Sequence, residues 1–324
     1  MRRVRFILLA VFLAAGGAKA QAPASDYPNR PVRIIVPASP GGIPDAFSRA
    51  LAQHLTEHMG QPVVVDNRPG ASQVIAAEAA ARAAPDGYTL FLGTQTGLVM
   101  TPISHKKLPY DPVRDFAPIS LLFTSPLYLV VQASLPVKSV QDLVALARSR
   151  PGKLSYASLG VGSPHHLAAE TFKSRAGLEI LHVPYKGIGP AMADLLSGQV
   201  DLVFGAGLIY LPHVASGKLR MLATTAAKRT EAMPNLPTMS ESGLPGFEVA
   251  SWFGLVGPAG LPRPIVERLN REVAGMLRAP STREKFADGG IDLTPSTPEE
   301  FGERIRADLP VWTRIMRDAG IQAE

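Results

Sequence analysis

Hydrophobic and polar positions alternate along the chain with two different periods, and these periods predict strands and helices that follow one another. Short β-branched runs predict buried strands, whereas apolar residues spaced three and four apart predict amphipathic helices. The first unit is a strand at 33–36, a turn rich in proline and glycine, and a helix from Pro44 to about Met59. Phe47, Leu51 and Leu55 share one face of that helix, so we expect this face to be buried.

The same pattern continues to the C-terminus and predicts an α/β fold. Further strands are predicted at 62–67, 88–94, 126–132, 153–160, 179–185, 201–207, 219–225 and 248–258. Helices are predicted at 72–84 with Ser72 as N-cap, at 139–150, 163–175, 189–199 and 262–278, and after a capping box at Thr297 and Glu300. Strands joined by helices form mostly parallel sheets covered on both faces.

The order of these elements predicts two lobes joined by a hinge. Residues 127–246 contain a full series of strands and helices between turn residues and are predicted to form domain 2. The last two predicted helices have no strand after them, so we expect them to pack on the first domain. Domain 1 would then comprise 27–126 plus 247–324, and the two crossings between the domains would act as a hinge.

The first residues predict export from the cytoplasm. Three arginines precede an apolar run at 6–15, and Ala18 and Ala20 provide the small residues that a signal peptidase accepts. The run is about half the ~20 residues that a membrane-spanning helix needs, so residues 1–20 are expected to be a cleaved signal peptide. The absence of cysteine excludes disulfides and a lipoprotein anchor.

The formal net charge of +6 arises mainly from that signal peptide. Residues 1–20 contain four basic residues and no acid, which leaves +2 for the mature chain. The chain has no cluster of lysine and arginine with interleaved aromatic residues. These features exclude a nucleic-acid-binding protein.

Glycine-rich turns follow several predicted strands, two of them in each lobe, at 38–42, 93–97, 158–163 and 185–190. In open α/β sheets, ligands bind beyond the carboxyl ends of the strands. A helix that begins there directs free N–H groups and the positive end of its dipole toward the ligand. The turns therefore predict an anion site formed largely by main chain.

A series of motifs resembles a known family. The segments "RIIVPASPGGIPD", "VVVDNRPGAS", "APDGYTL", "YDPVRDFAPIS", "HVPYKG", "SGQVDLVF", "PNLPTMSESGLPGFE" and "WFGLVGPAGLP" occur in the order found in the Bug-type substrate-binding receptors of tripartite tricarboxylate transporters. The resemblance covers nearly the whole chain from Tyr27 onward.

The resemblance implies a two-lobed periplasmic-binding-protein fold of type II and a periplasmic, non-enzymatic receptor, and neither a cofactor nor a metal is expected. A receptor that closes freely works as a monomer, although the oligomeric state is left open. Its ligand would be a small carboxylate, such as a di- or tricarboxylate, an amino acid or an aromatic acid, delivered to a membrane permease. In that family, backbone N–H groups and bound waters hold the carboxylate. The predicted ligand-binding residues are Ala38, Ser39, Pro40, Gly41, Gly42, Asp45, Thr94, Gln95, Ser158, Gly160, Gly162, Ser163, His166, Tyr185, Lys186, Gly187 and Gly205.

Two departures from the family pattern bear on the ligand. Ala38 stands where relatives usually have a bulky aromatic residue, and "GASQVIA" at 70–76 replaces a glycine-rich segment. Both predict a roomier and more polar pocket, suited to a larger or aromatic acid. Gly205 stands where acidic residues are frequent, which argues against the ammonium group of an amino acid.

Several residues have two interpretations. Asp45 could orient a loop or water near the ligand, or could only complement the dipole of its helix. Tyr185 and Lys186 could contact the ligand, or could be a packed tyrosine beside a solvated lysine. Ser163 and His166 lack the supporting acid of a catalytic triad.

The function also has an alternative. The same receptor could serve as a ligand-sensing adaptor for a membrane sensor kinase rather than for a permease. The sequence does not separate these two roles. A metal site is not expected, because His166 and Glu170 supply only two ligands, where structural zinc requires four.

Overall fold

The computed structural model describes residues 27–160, 163–185, 187–206, 208–230, 232–287 and 290–318. The predicted signal peptide and the predicted site residues Gly162 and Lys186 lie outside the described residues. Within the described part, the strands form two sheets that share one long strand, β4 (Phe116–Gln132). Each sheet is the centre of one lobe, and the predicted two-lobed α/β fold is confirmed.

Lobe 1 contains both ends of the described chain. Its elements are β1 (Val32–Val36), α1 (Ile43–Met59), β2 (Val63–Asn67), a 3₁₀ turn (Ala71–Gln73), α2 (Val74–Ala81), β3 (Thr89–Thr94), a π-helical turn (Thr96–Met100), α3 (Thr101–Ser104), the first part of β4, β9 (Ala250–Pro258), α8 (Arg263–Arg278), α9 (Pro280–Ala287), β10 (Asp292–Leu293) and α10 (Pro298–Asp318). The strand order is β2-β1-β3-β9-β4, with β10 also on β4. The first three strands are parallel, and β9 is antiparallel to both its neighbours.

Lobe 2 repeats this plan with fewer elements. They are the second part of β4, α4 (Val140–Ser149), β5 (Ser155–Ser158), α5 (Pro164–Ala176), β6 (Leu181–Pro184), α6 (Ile188–Ser197), β7 (Leu202–Ala206), a 3₁₀ turn (Leu208–Tyr210), α7 (Leu211–Ala215) and β8 (Leu219–Thr224). The strands β7, β5 and β6 are parallel, whereas β4 runs antiparallel to β7 and β8.

The chain passes between the lobes within β4 and returns just before β9. Residues 116–126 of β4 pair with β9, and residues 127–131 pair with β7. The side chain of Thr225 joins the two crossings, because its Oγ1 accepts from the Leu127 N–H (2.8 Å) and donates to the Val249 carbonyl (2.5 Å). The crossings are therefore linked by hydrogen bonds as well as by the sheet.

Helix α1 shows how the sequence pattern produces the packing. Phe47, Leu51 and Leu55 are fully buried against the sheet, as their spacing predicted. The helix ends at Gly60, which has φ 72 and donates its N–H to the Thr56 carbonyl. Glycine suits this left-handed position because it has no Cβ.

The predicted caps of two other helices are confirmed. The Ser139 hydroxyl accepts from the Asp142 N–H at the start of α4. At the start of α10, Thr297 and Glu300 bond to each other's backbone N–H groups, at 3.1 and 2.8 Å. Each bond satisfies a donor that the helix itself leaves unpaired.

Two predicted boundaries were wrong. Ser72 is not the N-cap of α2, because it has φ 50 inside a 3₁₀ turn and the helix begins after Gln73. The strand predicted from Pro126 begins ten residues earlier, at Phe116. Pro118 lies next to a shift in register, which lets proline occur inside a paired strand.

Candidate ligand-binding cleft

The carboxyl ends of the parallel strands in both lobes point toward the junction between the lobes. In lobe 1, β3 runs antiparallel to β9 and β9 runs antiparallel to β4, so β3 and β4 run in the same direction, toward the junction. In lobe 2, β7 runs antiparallel to β4, so β7 and its parallel neighbours run back toward the same junction. The turns after these strands therefore face one another.

The register of β4 gives the separation of the two edges. Thr94, at the end of β3, is level with Phe253 and thus with Phe123 of β4. Ala206, at the end of β7, is level with Leu127. The rise from Phe123 to Leu127 is about 13 Å, which gives the spacing of the two edges along β4.

The turn of lobe 1 at 38–42 is fixed by Asp45, which lies in the first turn of α1. Its carboxylate accepts from the Gly41 N–H (2.9 Å), Arg49 Nε (3.0 Å) and Asn67 Nδ2 (2.9 Å). The same Asn67 amide donates to the carbonyl of the first residue of the turn (3.0 Å). Hydrogen bonds from Arg49 and then from the Gly41 N–H lower the pKa of Asp45 to about 2. Asp45 thus orients this loop.

The remaining residues of this turn present backbone to the cleft. Ser39, Pro40, Gly41 and Gly42 are exposed. Gly42 is the N-cap of α1 and provides no side-chain hydrogen bond to the helix. The N–H groups of the first turn of α1 therefore lack a side-chain cap, although Gly41 donates its own N–H to Asp45.

Thr94 lies at the edge of lobe 1, but its hydroxyl is already used inside the protein. Oγ1 accepts from the Gly97 N–H (2.9 Å) and donates to Gln73 Oε1 (2.5 Å). Thr94 therefore connects the end of β3 to the loop that precedes α2.

The side chain of Gln95 turns away from the edge and into the interior. Its Nε2 donates to the buried carboxylate of Asp308 (3.3 Å), which also accepts from Trp252 Nε1 (2.6 Å). The strand ends at Thr94 and a helical turn follows at once, which changes the direction of successive side chains. Direct contact between the Gln95 side chain and a ligand remains a prediction.

The residues of the loop at 70–73 were not among the predicted ligand-binding residues, although the segment 70–76 was expected to affect the pocket. Ala71, Ser72 and Gln73 have φ values of 46°, 50° and 71°, a left-handed conformation that costs roughly 1–2 kcal/mol per residue. Backbone strain of this kind clusters at functional sites. The bond between Gln73 and Thr94 places this loop on the same edge as the other turns. Gly70, three residues after the end of the predicted strand at 62–67, was the available sequence signal.

The first turn of lobe 2 is held by hydroxyl groups. Ser158 Oγ accepts from the Gly160 N–H (3.1 Å) and is hydrogen-bonded to His182 Nε2 (2.6 Å). Ser163 Oγ donates to the Gly160 carbonyl (2.7 Å) and accepts from the His166 N–H (3.3 Å). Ser163 is therefore the cap of α5.

The imidazole of His182 belongs to a stack of three rings. Its centroid lies 4.9 Å from that of Tyr156 and 4.3 Å from that of His166. The Tyr156 hydroxyl donates to Glu170 (2.6 Å). Burial lowers the pKa of both His166 and His182, so the fold favours their neutral forms. His166 is buried within this stack.

The second turn of lobe 2 leads into α6. The Tyr185 N–H donates to the Ser158 carbonyl (2.9 Å), and its hydroxyl donates to Asp194 (2.6 Å). Burial and the neighbouring Asp194 raise the pKa of Tyr185 to about 12. Gly187 is the N-cap of α6 without a side-chain bond, and a Cβ there would meet no atom within 4 Å.

Gly205, near the end of β7, has a structural reason to be glycine. A Cβ at this position would lie 2.1 Å from the ring of Tyr210, which is buried. Any side chain, acidic or not, would displace that ring. The backbone of Gly205 nevertheless lies at the edge that faces lobe 1.

The described residues that the sequence predicted for the site lie at the ends of strands, in the turns that follow them or in the first turns of the next helices, and their contact with a ligand stays a prediction. Among the described residues, no group of three or more histidine, aspartate or glutamate side chains is arranged to hold a metal ion. Over the same part of the chain, every helix is too short or too polar to cross a membrane.

Comparisons with known proteins agree on the family. The model of the tripartite tricarboxylate transporter family receptor, TctC, matches residues 47–321. BugT of Bordetella pertussis is 37% identical over 314 residues, which cover 97% of this chain and 96% of BugT. Among solved structures, Rpa4515 of R. palustris with adipate is 39% identical, with a TM-score of 0.73 and coverage of 92% of this chain and 100% of Rpa4515.

A second solved structure is MatC of Rhodopseudomonas palustris with bound malate. It is 30% identical, has a TM-score of 0.67 and matches 89% of this chain and 99% of its own. These matches confirm the two-lobed type II fold. The chain therefore belongs to the TctC family of tripartite tricarboxylate transporter receptors, the Bug-type periplasmic solute-binding proteins, and it is a receptor rather than an enzyme.

Proposed function

We propose that this receptor binds a small carboxylate between its lobes and delivers it to a membrane permease. The proposal depends mainly on the facing edges of the two sheets, where α1 and α6 begin without side-chain caps. Uncapped helix N-termini stabilise an anion through their free N–H groups and their dipoles. The adipate and malate of the two solved relatives support a carboxylate as the anion.

The hinge suggests how binding is signalled. Domain 1, at 27–126 plus 247–324, would close on domain 2, at 127–246, when both edges contact the same ligand. A ligand that contacts both lobes favours the closed state through these additional contacts. The closed monomer is then the form that the permease recognises.

A charge substitution at the edge of lobe 2 tests the site. Gly187 has φ 176, an extended conformation open to any residue, and its Cβ direction is free of atoms within 4 Å. Gly187→Asp would place a carboxylate at the start of α6 without a steric conflict. We expect at least tenfold weaker binding in titration calorimetry against adipate, malate, citrate, glutamate and benzoate.

Two variants serve as controls. Gly187→Ala separates added volume from added charge, and Gly275→Asp places the same charge on the exposed face of α8, where a Cβ is also free of neighbours within 4 Å. Unchanged binding by Gly187→Asp, or no binding of any acid by the unsubstituted receptor, would contradict the proposal. Loss of ligand uptake in cells that lack the receptor, with recovery on its return, tests delivery to a permease.

A further inference from the structure

Four exposed isoleucines lie along the two edges that face the cleft. Their exposed fractions are 40% for Ile43, 53% for Ile75, 36% for Ile188 and 48% for Ile209. The first three are the first or second residues of α1, α2 and α6, and the fourth follows the end of β7. Each lobe therefore contributes two.

The helical positions of three of them determine where their side chains lean. In an α-helix every Cα–Cβ bond is tilted toward the N-terminus. The N-termini of α1, α2 and α6 are directed toward the junction of the lobes. The exposed side chains of Ile43, Ile75 and Ile188 are therefore inclined toward the end of each helix that faces the junction.

Exposed apolar side chains elsewhere on the sheets do not share this position. Val64 and Leu181 are 49% and 56% exposed, but they lie at the amino ends of β2 and β6, away from the cleft. Scattered exposed apolar residues are normal on a protein surface. The four isoleucines differ from these residues in lying at the edges that face the cleft, two on each side.

Several polar side chains at the same edges are already engaged within the protein. The hydroxyls of Thr94, Ser163 and Tyr185 donate to Gln73, to a main-chain carbonyl and to Asp194, respectively. Both donated bonds of the Asn67 amide go to atoms of lobe 1, and the Gln95 amide donates to Asp308. Beside the exposed hydroxyls of Ser39 and Ser72, a ligand would therefore find mainly backbone N–H groups and hydrocarbon at these edges.

We propose that the four isoleucines form an apolar wall that selects acids with a hydrocarbon body over hydroxylated acids of the same length. This inference rests on the proposed carboxylate function and defines its ligand class. A hydroxyl buried against isoleucine loses its hydrogen bonds to water without replacement. A methylene in the same place gains by leaving water.

Matched pairs of acids test the selection by titration calorimetry. The pairs are adipate with galactarate, succinate with tartrate, and cyclohexanecarboxylate with quinate, which have the same carbon skeletons and differ in hydroxyl groups. We expect the hydrocarbon member to bind at least tenfold more tightly in every pair that binds. Ile188→Thr and Ile209→Thr should each weaken that member about fivefold and leave the hydroxylated member unchanged or tighter.

Val64→Thr makes a similar change at an exposed position away from the cleft and should alter neither affinity. If the hydroxylated acids bind as tightly as the hydrocarbon acids, the proposed selection by an apolar wall is wrong, whereas the proposed carboxylate function is retained. If the threonine variants weaken all acids equally, the isoleucines act in closure of the lobes and the proposed selection is also wrong. If no acid of the two panels binds, the carboxylate function itself fails.

Discussion

In lobe 1 the turn before α1 is held by an ionised carboxylate, whereas in lobe 2 the turn before α5 is held by hydroxyls and a neutral imidazole. Asp45 accepts three hydrogen bonds, including those from Arg49 and the Gly41 N–H. Ser158 holds the lobe 2 turn together with His182. The two edges have similar positions in the sheets but different chemistry.

This difference predicts different responses to acid and salt. The pKa of Asp45 is lowered to about 2, so its contribution persists in moderately acidic solution. The pKa values of His166 and His182 are lowered by burial, so protonation of either ring opposes the folded state. Mild acid should therefore destabilise lobe 2 before lobe 1, whereas added salt should weaken mainly the charged hydrogen bonds of lobe 1.

The largest expected effect comes from Asp45→Ala. The substitution removes the acceptor of three hydrogen bonds and should lower the free energy of unfolding by about 2–3 kcal/mol at pH 7. Because the folded pKa lies below the ordinary 3.8, this contribution is present above pH 4 and is lost as the pH falls toward 2. Urea unfolding at pH 7 and pH 3 should show the difference between the two proteins shrinking.

Asp45→Asn keeps an acceptor but removes the charge, so it should lower the free energy of unfolding by less than Asp45→Ala does. High salt should reduce the cost of Asp45→Ala, because the Arg49 side chain is 55% exposed and its attraction is screened. A cost of Asp45→Ala that is the same at pH 7 and pH 3 would contradict an ionised anchor in lobe 1.

Ser158→Ala tests the corresponding position in lobe 2. It removes the hydroxyl that accepts from the Gly160 N–H and pairs with His182, so we expect a loss of about 1–2 kcal/mol in unfolding free energy. Because the bonds are between neutral groups, 1 M salt should leave this cost unchanged. Urea unfolding with and without salt measures both quantities.

Ser197→Ala, at an exposed hydroxyl of α6, is the control and should change stability by less than about 0.5 kcal/mol. A strong salt dependence for Ser158→Ala would show that the two turns are not held by different chemistry.

The sequence predicted the positions of the two edges better than the partners of their side chains. Alternation of strands and helices sufficed to place the turns at 38–42 and 158–163 beyond parallel strands, and apolar spacing located α1. These features are local, because each depends on residues that are close in the chain. The two edges face each other because β7 and β9 pair antiparallel with β4. This pairing joins residues far apart in the chain, so no local sequence pattern predicts it.

The side-chain partners depend on residues far apart in sequence. Gln95 donates to a carboxylate 213 residues away, and Ser158 bonds to a histidine 24 residues away. No spacing rule predicts such pairs. The left-handed loop at 71–73 was also hidden, because its residues are not glycines and only packing can compensate for that conformation.

The smallest expected effect at neutral pH concerns His165, a buried residue of α5 whose Nδ1 has no hydrogen-bond partner among the described residues. Burial lowers the pKa of His165 from 6.5 to about 4. The folded state therefore favours the neutral ring, and the resulting stability is present above pH 6.5 and is lost as the pH falls toward 4. His165→Leu removes this titration and replaces the ring with a side chain of similar size.

At pH 8 we expect His165→Leu to change the free energy of unfolding by less than about 1 kcal/mol. At pH 5 the variant should gain roughly 1–2 kcal/mol relative to the unsubstituted protein, because the latter must keep a desolvated imidazole neutral. Urea unfolding at the two pH values measures this gain. If His165→Leu changed the free energy of unfolding equally at the two pH values, His165 would not contribute to the acid sensitivity of lobe 2. The difference between the lobes in acid would then depend on His166 and His182 alone.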